Sequence, residues 1–276
     1  MNTLAGRVAV VTGAARDRSI GGGIARVLAQ HGADVVVNDL APSEEAARRV
    51  LEIEAVGRRA AFVAADVTDP GAMERLMAET VERMGRLDIV VANAGIALGG
   101  SAGDVTGDDW QRTIDVNLTG PLLLTREALP VLIAGGGGSI VLVASVASLV
   151  SSDGSAAYDS SKAGVLGLAR SLAVDYGPRG VRANAVCPGW VETPMADRSM
   201  DELAAERGIT REEAYRLAAK HVPLRRPATA GEIAACCLFL ASDESSVVTG
   251  TALVADGGGM AVDVASLVFS SSDTSI

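Results

Sequence analysis

The chain has 276 residues, of which 49% are hydrophobic and only 3% aromatic, so its core must be built from valine, alanine, leucine and isoleucine. A net charge of -10 argues against nucleic acid or an anionic membrane as a partner. No window approaches the roughly 18 apolar residues of a membrane helix, and no signal peptide is visible, so we predict a cytoplasmic protein. The three cysteines and two histidines have no metal-ligand spacing, so no metal site is predicted.

The N-terminal segment predicts a βαβ unit. A buried strand over 7–12 leads into a turn that contains Gly13, a helix that ends near His31, and a second buried strand over 34–39. This is the dinucleotide-binding pattern, in which the pyrophosphate lies at the helix N-terminus and an acid at the end of the second strand binds the adenosine ribose. Asp39 occupies that position and makes the interpretation much stronger than a glycine-containing turn alone.

The alternation of helices and strands continues along the chain. We predict further helices over about 43–56, 69–85, 108–134 with a bend near 120–121, 158–177 and 229–241, and further strands over 60–65, 87–92, 139–144, 182–187 and 251–255. This strict order with apolar strands implies one α/β domain with right-handed crossovers. The predicted fold is a Rossmann-type, doubly wound, seven-stranded parallel sheet with helices on both faces.

The segment 195–226 does not fit this alternation. Two capping boxes, which begin at Ser199 and Thr210, predict two short helices separated at Gly208. The segment follows the carboxyl end of the sixth strand, where open α/β sheets bind ligands. We therefore expect a helical substrate lid, and a surface insertion without function is the alternative.

Ser145, Tyr158 and Lys162 are the main catalytic candidates. Ser145 follows a run of β-forming residues, so its hydroxyl is expected at the carboxyl end of a strand. Tyr158 and Lys162 are four residues apart and share one face of a helix. A tyrosine has a pKa of about 10, but an ammonium one turn away favours the phenolate, so Tyr158 can give and take a proton near neutral pH. A chance pair on an amphipathic helix is the alternative.

Several motifs in this order resemble the short-chain dehydrogenase/reductase family, and the resemblance extends over residues 8–258. The matching residues are Thr12-Gly13 with Gly21, Asn93-Ala94-Gly95, the set of Asn117, Ser145, Tyr158 and Lys162, then Pro188-Gly189, and Asp256-Gly257-Gly258. The family transfers a hydride between a nicotinamide and an alcohol or carbonyl carbon. The resemblance implies that Tyr158 relays the proton and Ser145 binds the substrate oxygen. It also implies that Lys162 holds the nicotinamide ribose and lowers the tyrosine pKa, and that Asn117 anchors a water.

The resemblance also implies a set of cofactor-binding residues. They are Gly13, Arg18, Ser19, Ile20, Asp39, Asp66, Val67, Asn93, Ala94, Gly95, Tyr158, Lys162, Pro188, Gly189, Val191 and Thr193. The choice of cofactor depends on two opposed features. Asp39 favours NAD, because a 2′-phosphate would face its carboxylate, whereas Arg16 and Arg18 could bind that phosphate. We predict NAD, because a strand end fixes the position of Asp39.

The nucleotide turn departs from the family pattern. It is two residues longer, and Asp17-Arg18-Ser19 stands where a middle glycine is usual. Such a turn resembles that of bacterial enoyl-acyl-carrier reductases, and the Ser19 hydroxyl could bind a phosphate. That branch, however, spaces its tyrosine and lysine more widely. We therefore predict carbonyl reduction or alcohol oxidation, with enoyl-thioester reduction or a non-catalytic dinucleotide-binding regulator as alternatives.

The pocket is expected to be mostly apolar, with walls formed by Val146, Leu149, Trp190, Met195 and Met200. No basic cluster is present to bind a carboxylate, so a neutral or cyclic secondary alcohol or ketone is the expected substrate. The resemblance implies a homotetramer. We place the dehydrogenase domain at 1–260 and a C-terminal tail at 261–276, of which the serine-rich end at 270–275 is expected to be disordered.

Overall fold

A single parallel sheet forms the centre of the chain, for which a computed structural model describes residues 3–269. Its strands are β1 (Val8–Thr12), β2 (Asp34–Asp39), β3 (Ala60–Ala64), β4 (Ile89–Ala92), β5 (Gly138–Val143), β6 (Val181–Pro188) and β7 (Ala252–Ala255). They pair in the order β3-β2-β1-β4-β5-β6-β7, and every pair is parallel. The predicted seven-stranded parallel sheet is therefore confirmed.

Helices cover both faces of this sheet. Within the described residues they are α1 (Ile20–Gln30), α2 (Glu44–Ala55), α3 (Pro70–Met84), α4 (Gly107–Ile114), α5 (Gly120–Ala134), α6 (Ala156–Tyr176), α7 (Pro194–Arg207), α8 (Arg211–Ala218) and α9 (Ala230–Ala241). Two apolar clusters show the layering, because residues of α3, α5 and α6 pack on one face and residues of α1 and α9 pack on the other. The chain is a single-domain, doubly wound Rossmann-type fold, as predicted.

Strand β1 shows why the strands read as uninterrupted apolar runs. Val8 and Val10 pack into the cluster on one face of the sheet, and Ala9 and Val11 pack into the cluster on the other. Successive side chains of a strand point to opposite faces, so a strand that is covered on both faces needs an apolar residue at every position. The parallel register brings the carboxyl ends of the strands to one edge of the sheet, where the loops of the candidate site begin.

The lid predicted at 195–226 contains two helices, but the first begins earlier than expected. Thr193 is the N-cap of α7, because its Oγ1 accepts a hydrogen bond from the backbone N–H of Ala196 at 3.3 Å. Pro194 follows at the first helical position, where a missing N–H has no cost. Ser199 lies inside this helix, so the prediction that it begins a helix is wrong.

The rest of the lid follows the prediction. Gly208 ends α7 in the left-handed conformation, and Thr210 begins α8 with both hydrogen bonds of a capping box. The two helices pack through an apolar cluster of their own, made of Ala196, Met200, Ala204, Ala214 and Tyr215. None of these residues belongs to the two clusters of the main core. The lid is therefore a small packed unit that lies beside the core.

A π-helical segment, Asp115–Thr119, separates α4 from α5. The irregularity comes directly before the bend that the sequence predicts near 120–121. Segments of π-helix are rare and occur frequently at functional sites. This one carries Asn117, a candidate catalytic residue.

No helix within residues 3–269 is long and apolar enough to cross a membrane. Two short 3₁₀ segments, Gly259–Ala261 and Val264–Phe269, follow the last strand. The disorder predicted for 270–275 falls outside the described residues.

Candidate active site

The structure brings Ser145, Tyr158 and Lys162 together at the carboxyl end of β5. Ser145 follows this strand closely, and its Oγ accepts a hydrogen bond from the backbone N–H of Ala147 at 3.2 Å. Tyr158 and Lys162 lie one turn apart on α6. The Lys162 Nζ lies 5.7 Å from the centroid of the Tyr158 ring and donates a hydrogen bond to the Val143 carbonyl at 2.9 Å.

The pKa of Tyr158 is raised above its ordinary value, mainly because the phenol is buried. A hydrogen bond with the Ser145 side chain acts in the opposite direction, and the charge of Asp159 raises the pKa further. The net shift is opposite to the lowering expected from Lys162, because the ammonium is directed at the Val143 carbonyl and burial of the phenol decides the direction. At neutral pH Tyr158 is therefore a neutral phenol and a proton donor.

Lys162 carries a buried ammonium that still has N–H hydrogen-bond donors available for a ligand. It is 5% exposed, and burial lowers its pKa to about 8, while an ionised Cys187 would act the other way. Burial in turn raises the pKa of Cys187 to about 11, so this neighbour is a neutral thiol at pH 7. An ammonium has three donors, and one is used on Val143. Two N–H groups of Lys162 remain for a ligand.

Asn117 uses its side chain to hold the loop after β4. Its Oδ1 accepts a hydrogen bond from the Ile96 N–H at 2.8 Å, and its Nδ2 donates to the Ile96 carbonyl at 2.9 Å and to Ser161 Oγ at 3.0 Å. Both amide protons are thus engaged. A water anchored by Asn117, as the family resemblance implies, would have to donate to the second lone pair of Oδ1 or bind the backbone. Ser161 was not among the residues that the sequence indicated.

Asn93 joins the ends of β1 and β4. Its Nδ2 donates to the Thr12 carbonyl at 2.9 Å and to the Gly13 carbonyl at 3.1 Å. The backbone N–H groups of Asn93 and Ala94 both donate to Thr12 Oγ1 at 3.1 Å. A Cβ on Gly21 would lie 2.4 Å from Asn93 Nδ2, so this close approach requires glycine. The Asn93 Nδ2 therefore shapes the nucleotide turn.

Ser19 is the N-cap of α1. Its Oγ donates to the Arg16 carbonyl at 2.7 Å and accepts a hydrogen bond from the Gly22 N–H at 3.0 Å. The hydroxyl proton is thus used within the turn, which differs from the expectation that it binds a phosphate. Ile20 and Gly21 stand in the first turn, where backbone N–H groups have no carbonyl partner within the helix and attract anions.

Asp39 is held in place at the end of β2. Its Oδ2 accepts a hydrogen bond from the Ala15 N–H at 3.2 Å, and its Oδ1 accepts one from the Leu40 N–H at 2.9 Å. Each carboxylate oxygen can accept a further hydrogen bond. The carboxylate therefore has a fixed direction and retains capacity for the hydroxyl groups of a ribose.

Asp66 and Val67 follow β3 at the same edge of the sheet. Asp66 Oδ1 accepts hydrogen bonds from the Thr68 N–H at 2.9 Å and from Thr68 Oγ1 at 2.8 Å. Val67 is buried, and a Cβ on Gly120 would lie 2.9 Å from its Cγ2. The loop between β3 and α3 is thereby packed against the start of α5.

The residues after β6 form the opposite side of the crevice. Gly189 follows Pro188 and lies so close to Asp256 that a Cβ would come within 2.9 Å of the aspartate Cβ. Val191 is buried and forms a parallel bridge with Ala228. Thr193 Oγ1 caps α7, so the side chains of Val191 and Thr193 serve the fold. Contacts of these two residues with a cofactor would come from their backbone.

The two arginines of the nucleotide turn differ in their surroundings. Arg18 Nη1 lies 3.0 Å from Asp197 Oδ2 on α7, whereas the Arg16 side chain is exposed. Arg18 is thus turned toward the lid and away from Asp39. Neither Asp197 nor Tyr215, whose hydroxyl donates to Asp197 Oδ1 at 3.0 Å, was among the residues predicted from the sequence.

The prediction of an apolar pocket wall agrees with the structure in part. Leu149, Trp190 and Met195 are between 43% and 46% exposed, so they present apolar surface near the candidate site. Met200 is 2% exposed and belongs to the apolar cluster of the lid, so its placement in the wall is wrong.

The candidate site lies where a dinucleotide fits. The order of strands reverses between β1 and β4, and open α/β sheets bind ligands in the crevice at the carboxyl ends of such strands. The glycine turn, Asp39 and the loop after β4 meet at this crevice. Because Gly21 has no side chain, the first turn of α1 packs directly against the glycine turn and the loop after β4. Fold and site together are those of an oxidoreductase with a Rossmann-type fold.

Comparison with known proteins gives the family. The family model described as enoyl-(acyl carrier protein) reductase matches residues 13–259. The oxidoreductase UcpA of Escherichia coli (strain K12) is 41% identical over 259 residues, which are 94% of this chain and 96% of that protein. Trans-4-hydroxycyclohexanecarboxylate dehydrogenase of Sinomonas cyclohexanicum is 42% identical over 260 residues, 92% of this chain and 93% of that enzyme.

A solved structure agrees with these relatives. Carveol dehydrogenase of Mycobacterium avium in complex with NAD has a TM-score of 0.88 and 34% identity, over 95% of this chain and 100% of that chain. The chain belongs to the short-chain dehydrogenase/reductase family, and it is an oxidoreductase of that family.

Proposed function

We propose that this protein transfers a hydride between NAD and a cyclic secondary alcohol or ketone, with Tyr158 as the proton relay. The observation that carries the proposal is the grouping of Ser145, Tyr158 and Lys162 beside the dinucleotide crevice. A bound nicotinamide would accept the hydride in oxidation and supply it in reduction. The residues of the chain have to hold the substrate oxygen and move one proton.

Each of the three side chains has a role that its contacts support. Ser145 Oγ donates a hydrogen bond to the substrate oxygen and fixes it beside Tyr158. In oxidation the phenol first loses its proton to solvent, and the phenolate then takes the proton of the alcohol hydroxyl as the carbinol hydrogen leaves as hydride, which yields the ketone. In reduction the neutral phenol gives that proton back. The two remaining N–H groups of Lys162 hold the nicotinamide ribose, and its charge stabilises the phenolate.

The substrate class follows from the pocket and from the relatives. Leu149, Trp190 and Met195 offer an apolar surface suited to a hydrocarbon ring. The names of two similar proteins specify a hydroxycyclohexanecarboxylate and carveol as substrates. A secondary alcohol on a six-membered ring is the feature that we carry over to this chain.

Enoyl reduction is the second candidate, because the matching family model is described by that activity. Tyr158 and Lys162 stand one helical turn apart with Ser145 beside them, and two hydroxyls at this position suit a carbonyl or carbinol oxygen. The proposal therefore favours alcohol and ketone chemistry. A non-catalytic dinucleotide-binding regulator has no physical need for all three groups.

A panel of substrates tests the proposal through the absorbance of reduced nicotinamide. We expect turnover with cyclohexanols and cyclic terpene alcohols, or with the matching ketones, and little with linear alcohols or an enoyl thioester. Preference for the enoyl thioester would support the second candidate. Absence of turnover over the whole panel, with binding of the dinucleotide retained, would support the regulator.

The enzyme is further proposed to act as a cytoplasmic homotetramer. Leu122 on α5 and Val174 on α6 are 48% and 76% exposed, which supports the burial of these helices against other subunits. The acidic composition suits an aqueous compartment.

Replacing Asp39 with alanine is expected to reduce the preference for NAD over NADP by about tenfold or more, because hydrogen bonds to a charged group contribute about 1.5–3 kcal/mol. The fixed carboxylate of Asp39 accepts hydrogen bonds from the ribose and repels a 2′-phosphate. The measurement is kcat/KM for both cofactors with one substrate. Asp66→Ala is the control, since this exposed acid should affect both cofactors alike. A wild-type preference for NADP, or an unmoved ratio in Asp39→Ala, would assign the choice to Arg16.

A further inference from the structure

One buried carboxylate connects the lid to the nucleotide turn. Asp197 lies in the first turn of α7 and is 8% exposed. Its Oδ1 accepts a hydrogen bond from the Tyr215 hydroxyl of α8 at 3.0 Å. Its Oδ2 lies 3.0 Å from Arg18 Nη1 and 3.5 Å from Arg211 Nη1. A carboxylate this buried is stable only when its charge is paired, so Asp197 fixes three segments of the chain relative to one another.

Arg18 has an unusual backbone conformation at this contact. Its φ of 55° lies in the left-handed region, which is unfavourable for a residue that carries a Cβ. Within residues 3–269 only Arg225 shares this property among the residues other than glycine. Such conformations persist where the surrounding contacts hold them, and they concentrate at functional sites. The ion pair with Asp197 is a contact that holds Arg18 in this conformation.

The path of the chain through Arg18 determines the direction of α1. Arg18 directly precedes Ser19, whose hydroxyl binds the Arg16 carbonyl on one side and the Gly22 N–H on the other. The N–H groups of the first turn, at Ile20 and Gly21, are the groups proposed to bind the pyrophosphate. A change at Arg18 is therefore transmitted to these donors through the N-cap.

The lid is attached to the body of the protein near both ends, through the ion pair of Asp197 with Arg18 and through the Leu224 N–H, which donates to the Gly257 carbonyl at 3.1 Å. Its apolar cluster contains no residue of the two main clusters, so the packing inside the lid does not by itself hold the lid on the core. Tyr215 remains a phenol at all ordinary pH values, because burial, followed by its bond with Asp197, raises its pKa. Asp197 therefore combines a stable bond within the lid with an ion pair to the body of the protein.

We infer that Asp197 is a positioning residue, which sets the nucleotide turn through Arg18 and ties the lid to that turn. The inference rests on the proposed function, because it requires a dinucleotide to bind at the first turn of α1. Binding of the dinucleotide and seating of the lid favour the same conformation of the turn. The two events are therefore coupled, and each strengthens the other.

Asp197→Asn separates this role from a simple effect of charge. Asparagine keeps the size of the side chain and an oxygen for Tyr215, but it removes the charge that holds Arg18. By charge alone, loss of a carboxylate near the pyrophosphate site strengthens dinucleotide binding. If Asp197 positions the nucleotide turn, loss of its charge weakens binding of the dinucleotide. We then expect the Kd for NADH to rise about fivefold or more, as is usual for coupled sites.

The measurement is a titration of the cofactor-free protein with NADH, followed by the fluorescence of the nucleotide, with no alcohol or ketone present. An unchanged or lower Kd in Asp197→Asn overturns the inference. Failure of the wild type to bind any nicotinamide dinucleotide overturns the proposed function and the inference together. Equally tight binding by the wild type and by Asp197→Asn overturns the inference alone.

A double-mutant cycle with Arg18→Gln tests whether the two residues act as a pair. The Arg18 side chain is 59% exposed, so this variant is expected to fold even if Asp197→Asn does not. We expect the double variant to bind NADH no more weakly than the weaker single variant, because both substitutions break one contact. Additive losses contradict the pair. Arg26→Gln is the control, since it removes an exposed guanidinium from α1 and leaves the turn intact.

Limited proteolysis reports on the lid itself. Trypsin can cleave after Arg198 and Arg207, which are exposed on α7. We expect NADH at saturating concentration to slow this cleavage in the wild type and in Arg26→Gln, and to give little protection in Asp197→Asn. Equal protection of all three proteins would show that the lid is held by other contacts, and it would overturn the coupling.

Discussion

Replacing Tyr158 with phenylalanine is expected to lower kcat by about 10²–10⁴-fold, which is the usual contribution of a positioned proton donor and acceptor. The substitution removes one oxygen and keeps the ring, so the packing of α6 should be preserved. NADH affinity should change little, because the ribose contacts are assigned to Lys162 and the pyrophosphate contacts to the first turn of α1. The loss should therefore appear in turnover and not in binding.

The measurement compares steady-state turnover of the best substrate with NADH titration of the same preparation. Tyr176→Phe is the matched control, since it removes a hydroxyl from the last residue of the same helix. This control should keep turnover close to that of the wild type. If Tyr158→Phe retains turnover within a few-fold of the wild type, Tyr158 is not the proton relay.

The same two proteins test the pKa of the phenol. Burial raises the pKa of Tyr158 in the protein without cofactor, so the phenolate should form only above the pH at which an ordinary tyrosine ionises, about 10. The difference in ultraviolet absorbance between wild type and Tyr158→Phe, followed with pH, isolates this group. A transition near neutral pH would contradict the arrangement in which Lys162 is directed at Val143.

The fold could be predicted from the sequence because buried parallel strands and helix caps leave local patterns. Each predicted strand is an apolar run, as β1 shows, and Asp39 ends the second strand at the expected residue. Thr210 and Thr229 both form the predicted capping boxes. These patterns depend on neighbours in the sequence and need no knowledge of tertiary contacts.

The features that the sequence did not predict depend on distant contacts. Ser199 and Glu202 have the spacing of a capping box, but the helix begins earlier, at Thr193 and Pro194. The same residue types at the same spacing can also occur inside a helix, where they cap nothing. The π-helical segment cannot be read from local pattern, since it places Asn117 against Ile96. The predicted catalytic group therefore left the roles of individual atoms open.

The pKa relation within the catalytic group shows the same limit. Spacing on a helix predicts that Tyr158 and Lys162 share a face, and the structure agrees. Spacing does not reveal that the Val143 carbonyl competes for the ammonium, because β5 and α6 meet only in the folded protein. The contacts of Asp197 could not be predicted from the sequence for the same reason, since its partners Arg18 and Tyr215 are distant in sequence.

Replacing Lys162 with methionine is expected to lower both turnover and dinucleotide affinity while changing the free energy of unfolding little. The lowered pKa of about 8, against an ordinary value of 10.5, means that the folded state binds this proton more weakly than the unfolded chain. The buried ammonium thus opposes folding below pH 8 by about 3 kcal/mol, at about 1.36 kcal/mol for each pKa unit. Methionine removes this cost but leaves the Val143 carbonyl unpaired, which costs about 1–3 kcal/mol. The two effects nearly cancel.

Urea unfolding at several pH values, together with kinetics and NADH titration, checks these expectations. In the wild type the free energy of unfolding should rise between about pH 8 and pH 10.5, because the unfolded chain retains the Lys162 proton in this window and the folded state does not. Lys162→Met should lack that part of the rise. Turnover should fall, because the ammonium 5.7 Å from the ring of Tyr158 stabilises the phenolate during proton transfer. If only the Kd for NADH changes and kcat is retained, Lys162 binds the ribose and has no part in the proton transfer.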